Sequence, residues 1–565
     1  MYLLIRKTLE LTRGRPARRK LRKNRLVTKM VAATTLVGAA FFLVSASPAF
    51  PASPSCAGGS VDGPPPQTPM CFGTMFPNLS PFHYSDQAAA DFAATMENPT
   101  ADAPGTNRGT ADDSATLPAE YTYLGQFIDH NLDFDQTSQP TANVDPSTLT
   151  NFENFRFDLN NVFGGGPAVD PQLYASDQKH LLVLGTLGVP QPDGFPTVTG
   201  NGGVFDLARD PQTGQAILVD PRDDETQILS QISAAFVAFY NDFIDQGDSY
   251  AQARQLTEDY YQEIVLTDVL PAFVGQSTIN KYLHIGSGGT VHLNTPNLPN
   301  ANFTPIEFSV GAYRFGHSLV RNNYHINDIF PTTTDIDDNV PIFDLNNFQT
   351  GDLSGGAPLP GPDGSSTTTC TSTSLCAQPN PSGHQIQWKY FVPELDANPA
   401  DPGINFARNT ETTISPALFN LPAEAIAGCP DAADPVCNGS GSLIARDFAR
   451  GNYDGLASGQ TIARALGCAA IPAPHINPTK DAVFNTGTPL IYYVLAEAQQ
   501  SGQTLGCVGR SIVAQTFLRV LWNTPSSILH TNFHPDPNLV KLAPETPKFS
   551  FGDLLVDTGL APRTS

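Results

Sequence analysis

The chain has 565 residues, with 31 Lys/Arg against 54 Asp/Glu and with 50 prolines and 46 glycines. Eleven of the basic residues and one of the acidic ones fall within residues 1–30, so the remainder carries a net charge of −33. Such a surface repels nucleic acid and anionic membranes and discourages large anionic substrates.

The basic N-terminal stretch runs into an apolar segment, 31–44, and then into Ser45-Ala46-Ser47-Pro48-Ala49-Phe50-Pro51-Ala52. This order reads as a long-fronted secretory signal, residues 1–52, cleaved near Ala52. The bland alternative is a signal anchor, but the apolar run falls short of the roughly 20 residues that span a bilayer. The export reading predicts no stable membrane association after cleavage. All eight cysteines lie beyond the signal, none in a Cys-x-x-Cys zinc spacing. Disulfides are the default in an exported chain. Pairing of neighbours would give Cys56–Cys71, Cys370–Cys376, Cys429–Cys437 and Cys468–Cys507, with other connectivities left open. Residues 53–565 contain no repeat and no clear linker, so one domain with a large core is expected.

Along that domain, Tyr123-Leu124-Gly125-Gln126-Phe127-Ile128-Asp129-His130 comes first. On a helix Gln126 and His130 share a face, and Asp129 points to one side. Residues 225–246 place Ile228, Leu229, Ile232, Phe236, Phe239, Tyr240 and Phe243 at steps of three and four. They predict a long buried helix, with Asp220-Pro221 as its N-cap and first-turn proline. Further helices are expected over 250–269 and 305–324; the latter holds Gly311-Ala312-Tyr313-Arg314-Phe315-Gly316-His317, with the histidine one turn after the arginine. Residues 351–383, rich in Pro, Gly, Ser and Thr, read as a surface insertion. Helices over 458–466, 489–500 and 509–522 complete a mainly α fold with few short strands and long irregular connections. A haem would use such a set: one imidazole for the iron, another to move protons, and cations for the propionates.

These segments resemble the animal-type haem peroxidases, the superfamily of myeloperoxidase, lactoperoxidase and peroxidasin, and most closely its secreted microbial branch. The resemblance spans about 76–560. It is strongest at Gly125 to His130, Arg222-Asp223-Asp224-Glu225, Arg314-Phe315-Gly316-His317 and Arg446-Asp447-Phe448-Ala449-Arg450, with Gly455-Leu456-Ala457-Ser458-Gly459-Gln460 and Phe549-Ser550-Phe551-Gly552-Asp553-Leu554-Leu555 as later segments. It implies a haem b enzyme that reduces hydrogen peroxide. His130 would be the distal base, Arg222 the distal arginine and Gln126 the residue that orients water or a halide. His317 would ligate the iron, and Arg314 and Arg450 would pair with propionates. Asp447 stands where the family has an asparagine on the proximal imidazole; an anionic partner there would lower the iron's reduction potential. Asp129 and Glu225 match the carboxylates that esterify haem methyls. Thr226 replaces the methionine that myeloperoxidase bonds to a vinyl group, so that third link should be absent. The donors implied are small anions or phenols: iodide, thiocyanate, bromide at the margin, and not chloride.

The family's calcium site would fall on Asn131, Asn154, the Arg156 carbonyl, Asp158 and Asn160. With a single carboxylate this is a weak calcium set. Two other functions compete. A fatty-acid dioxygenase of the cyclooxygenase type needs a tyrosine three residues before the proximal histidine, where this chain has Arg314. A haem-free secreted scaffold would not need His130, Arg222, Gln126 and His317 together. No motif speaks to the oligomeric state.

Overall fold

The structure is a computed structural model that describes residues 70–98, 112–135, 143–182, 207–208, 216–286, 290–326, 340–342, 386–398, 401, 403–419, 421, 441–543, 545 and 548–561. The expected signal over 1–52 and the insertion over 351–383 lie outside them. The chain divides into two units, 1–52 and 53–565, and the described residues all belong to the second.

The second unit is built from helices, as expected. Eight of them carry the architecture: α1 (Asp86–Ala94), α2 (Glu120–His130), α3 (Gln227–Asp245), α4 (Tyr250–Ile264), α5 (Leu443–Tyr453), α6 (Gly459–Leu466), α7 (Leu490–Ser501) and α8 (Cys507–Asn523). Strands among the described residues are short and pair only in twos, for example Asp113–Pro118 with Phe406–Arg408 and Leu283–Ile285 with Val291–Leu293.

Aromatic packing locks α2, α3 and α4 together. Phe127 of α2 stacks on Phe236 of α3 with centroids 5.1 Å apart, and Tyr261 of α4 meets both rings edge-on. All three rings are buried to within 1%. Such pairs contribute about 0.5–1.5 kcal/mol beyond the area they remove from water. From α8, Phe517 packs on Tyr313 and on Phe157. Helix α6 approaches α7 so closely that a Cβ on Gly459 would lie 2.1 Å from Tyr493 Cγ, which only glycine avoids. Cys468, just past α6, is bonded to Cys507 at the start of α8. This is one of the expected pairings. Cys71 is also disulfide-bonded, while Cys56, Cys370, Cys376, Cys429 and Cys437 lie outside the described residues.

Two helical expectations change in detail. Asp220 and Pro221 do not start the long helix; Asp220 accepts from Arg222 N and caps a separate 3-10 turn, Pro221–Asp224. Thr226 then caps α3, its side chain accepting from Leu229 N. Residues 305–324 are not one helix but three short turns, Ile306–Ser309, Ala312–Phe315 and Gly316–Leu319, followed by the strand Asn323–Tyr324. The break falls at Gly311, where a Cβ would sit 2.7 Å from the Glu307 carbonyl oxygen. Residues 250–269 are helical as expected, α4 running on into a π-helix over Val265–Val269.

Because Phe236 touches both partners of this aromatic cluster, Phe236→Ala should lower unfolding free energy by about 3–5 kcal/mol. Denaturant unfolding of the two proteins checks this; a loss below about 1 kcal/mol would show that the cluster is not a keystone.

Candidate active site

Gln126, Asp129, His130, Arg222, Glu225, Arg314 and His317 line one cavity of about 250 Å³. They come from four places in the chain: helix α2, the Pro221–Asp224 turn with its next residue, and the turns Ala312–Phe315 and Gly316–Leu319. On α2, Gln126 and His130 are one turn apart, as their spacing requires. Apolar lining comes from Phe315 of the Arg314–His317 motif and from Phe273, Leu319, Val320, Ile342 and Leu418, which the sequence does not single out. A largely apolar pocket with a few convergent polar groups is the usual form of a cofactor or ligand site.

The polar groups are held in a fixed order. His317 Nδ1 lies 2.7 Å from Asp447 Oδ2, the pairing expected from the sequence. His130 Nδ1 lies 2.8 Å from Asp223 Oδ1. Arg222 Nε donates to both Asp220 oxygens at 3.1 Å, and its Nη2 donates to Asp220 at 2.6 Å and to the Asp133 carbonyl at 2.7 Å. Its guanidinium also lies over the Phe134 ring. Gln126 Nε2 donates to Glu225 Oε2 at 3.1 Å. Arg314 reaches Asp129 at 3.6 Å and Asp133 at 3.4 Å. Asp129 Oδ1 is buried with no hydrogen-bond partner.

Arg450 does not line the cavity and forms an ion pair with Asp135. The resemblance marks it by its place on α5 relative to Asp447, but an acid 315 residues away leaves no trace in the local sequence. Asp223 and Asp133, to which the sequence assigns no role, act on His130 and Arg314 across 93 and 181 residues, while Asp220, expected as a helix cap, holds Arg222 two residues on.

Burial sets the electrostatics. It pushes the Asp129 and Asp223 carboxyls above their usual range, Asp133 to about 7 with help from Asp129, and Glu225 to about 7 against the opposing pull of Arg222. Burial and then the charges of Arg222 and Arg314 hold the His130 imidazole well below its ordinary value, so it is neutral at pH 7. Burial also works against the charge on Arg222, but Asp220 more than offsets it and keeps the guanidinium charged.

The candidate calcium residues give a mixed picture. Asn131 and Asn154 each leave a buried Oδ1 without a partner, as a cation site would. Asp158, however, already accepts from Asn154 Nδ2 and Asn160 N, and Asn160 Nδ2 turns to Glu153. Among the described residues no group of three or more His, Cys, Asp or Glu could hold a metal ion.

Glu225 offers a direct test of this electrostatic picture. Its folded pKa is raised, so its contribution to stability is present below about pH 4.5 and is lost as pH rises through about 7. Glu225→Gln should therefore unfold like the parent at about pH 4 and be more stable by roughly 1–3 kcal/mol at about pH 8. Equal stability of the two proteins at the higher pH would contradict it.

The chain is similar to known proteins over part of its sequence and in its fold. Residues 232–353 match the family model for animal haem peroxidase. The solved structure of peroxidase A from Dictyostelium discoideum superposes with a TM-score of 0.54 at 14% identity, covering 90% of this chain and 98% of that one. A fatty acid alpha-dioxygenase from Arabidopsis thaliana gives 0.52 at 14% identity, covering 85% of this chain and 76% of that one. No curated protein matches the sequence. Residues 232–353 thus carry the animal haem peroxidase match, and the chain shares the helical fold of the Dictyostelium peroxidase A structure.

Proposed function

We propose that the chain is a haem peroxidase that reduces hydrogen peroxide and oxidises small donors. The observation that carries this reading is the convergence of Gln126, His130, Arg222 and His317 on one cavity, with His317 already oriented through Asp447. The residues fit a haem. The cavity is large and mostly apolar, and Asp447 occupies His317 Nδ1, which leaves Nε2 as the ligating nitrogen. When bound, the haem supplies an iron that takes two oxidising equivalents from peroxide and passes them to donors.

The chain's own groups do the rest. Neutral His130 takes the peroxide proton at Nε2 and returns it to the departing oxygen, which leaves as water. Arg222, kept charged by Asp220, stabilises the negative charge that develops as the O–O bond breaks. Gln126, held by Glu225, orients water or a halide beside them. Asp129, with its unpartnered Oδ1, and Glu225, partly exposed to the cavity, would supply the ester links to haem methyls. Arg314, one turn before His317 and lining the cavity, would serve one propionate, and Arg450, on α5 with Asp447 and paired with Asp135, would serve the other.

With Thr226 in place of a third link, the donors are iodide, thiocyanate, bromide to a lesser degree, and phenols. Export through residues 1–52 belongs to the same reading, as does a weak calcium site on Asn131, Asn154, the Arg156 carbonyl, Asp158 and Asn160. Among the described residues no helix is long and apolar enough to cross a membrane. A dioxygenase shares the fold, but Arg314 stands where that chemistry needs a tyrosine, and it is engaged by Asp129 and Asp133.

Peroxide-dependent oxidation of iodide and of a phenol by the haem-loaded protein tests the reading. His130→Ala should lower the rate about 10²–10⁴-fold with haem still bound. Fatty-acid oxygenation with no peroxide-driven donor oxidation would favour the dioxygenase instead. At the proximal face, Asp447→Asn should raise the iron's reduction potential, and Asp447→Ala should cost about 10–100-fold in haem retention or activity. An unchanged potential in Asp447→Asn would show that the carboxylate does not tune the iron.

A further inference from the structure

The proton chemistry proposed for His130 depends on which ring nitrogen carries the proton. The residue that decides this lies at the back of the site. Asp223 is 1% exposed and does not line the cavity. One of its oxygens lies 2.8 Å from His130 Nδ1, and the other accepts from Asn161 Nδ2 at 2.8 Å. Its backbone is held as firmly, since Asp223 N donates to the Asp220 carbonyl within the Pro221–Asp224 turn. That turn also carries Arg222, so one short segment places both the arginine and the partner of the histidine.

A neutral imidazole has one N–H and one lone pair. One Asp223 oxygen already accepts from Asn161 Nδ2, and with the other accepting from the imidazole N–H at Nδ1 the lone pair falls on Nε2; a protonated Asp223 would instead donate to Nδ1 and leave the N–H on Nε2, the outcome that the test below distinguishes. Among the described residues no other polar group bonds to the His130 ring. Within that set nothing else competes to fix its tautomer.

We propose that Asp223 is the positioning residue of the distal histidine: it fixes the His130 ring and keeps the proton on Nδ1, so that Nε2 is the atom that accepts the peroxide proton. The inference rests on the peroxidase reading for its catalytic meaning. Its structural content, the tautomer, stands apart from it. In the proton transfer Nε2 gains the peroxide proton while Nδ1–H stays bonded to Asp223, and the same Nε2 proton then leaves with the departing oxygen as water. Asp223 gains and loses nothing.

The test uses ¹⁵N NMR of the histidine imidazoles in the mature protein, in the diamagnetic ferrous carbon monoxide form where haem is bound, with His130 assigned by its loss in His130→Gln. Two variants accompany it. Asp223→Asn keeps the shape and can still accept from Nδ1–H, because Asn161 has an unpartnered Oδ1 that a flip would offer to the new amide. Asp223→Ala removes the acceptor. The parent and Asp223→Asn should show His130 protonated at Nδ1, and Asp223→Ala should show a mixture with Nε2–H. The rate constant for peroxide should fall by about 10²-fold or more in Asp223→Ala and by far less in Asp223→Asn, with the donor KM unchanged in both.

A parent protein with His130 protonated at Nε2 would overturn the proposal. So would an Asp223→Ala protein that keeps the Nδ1–H form and reacts with peroxide at about the parent's rate. If Asp223→Ala does not fold, the parent and Asp223→Asn spectra decide the question. A parent with the Nδ1–H signal but no Soret band would sink the peroxidase reading and leave the Asp223–His130 pair standing.

Discussion

Helix α2 has to bury an imidazole and a carboxylate in its last turn, and the rest of the architecture answers that constraint. Ionisable groups are rarely buried without partners, because removing them from water costs several kcal/mol. His130 and Asp129 are 4% and 8% exposed, and each is met by residues that the fold delivers from far away in sequence: Asp223 for the histidine and Arg314 for the aspartate. The helix can hold that position because Phe127, on the same turn, is clamped between Phe236 and Tyr261. The aromatic cluster fixes the helix and the helix fixes the chemistry.

The cavity is electrostatically unlike the surface. Outside, acids far outnumber bases and are screened by solvent. Inside, Arg222 and Arg314 sit among Asp129, Asp133, Asp220 and Glu225, and burial rather than mutual repulsion is the leading cause of the raised carboxyls. Two arginines beside a buried imidazole keep that imidazole neutral, which a proton acceptor requires. The same cations give a negatively charged donor or leaving group a local welcome that the exterior does not.

Local periodicity makes much of this legible in the sequence itself. Steps of three and four place the helix of Phe236, and the four-residue spacing of Gln126 and His130 puts them on one face. Single residues in recognisable surroundings, such as His317 and Asp447, are legible only through resemblance, and their 2.7 Å contact agrees with it. Three features lie beyond local patterns. The break at Gly311 lies in its backbone, φ −126° and ψ −97°, at a position with no room for a Cβ, which side-chain periodicity does not express. The start of α3 falls at Thr226 rather than Asp220 because Asp220 is occupied with its own turn and with Arg222. Arg450 and Asp223 find partners 315 and 93 residues away, through tertiary contacts that spacing does not encode.

The chemistry stands or falls on a haem held in this cavity through His317. The absorption spectrum of the purified protein, compared with that of His317→Ala, tests this most directly. A Soret band is expected in the parent, with its loss or displacement in the variant. A parent protein with no Soret band after reconstitution with haem, or a band indifferent to His317→Ala, would contradict it.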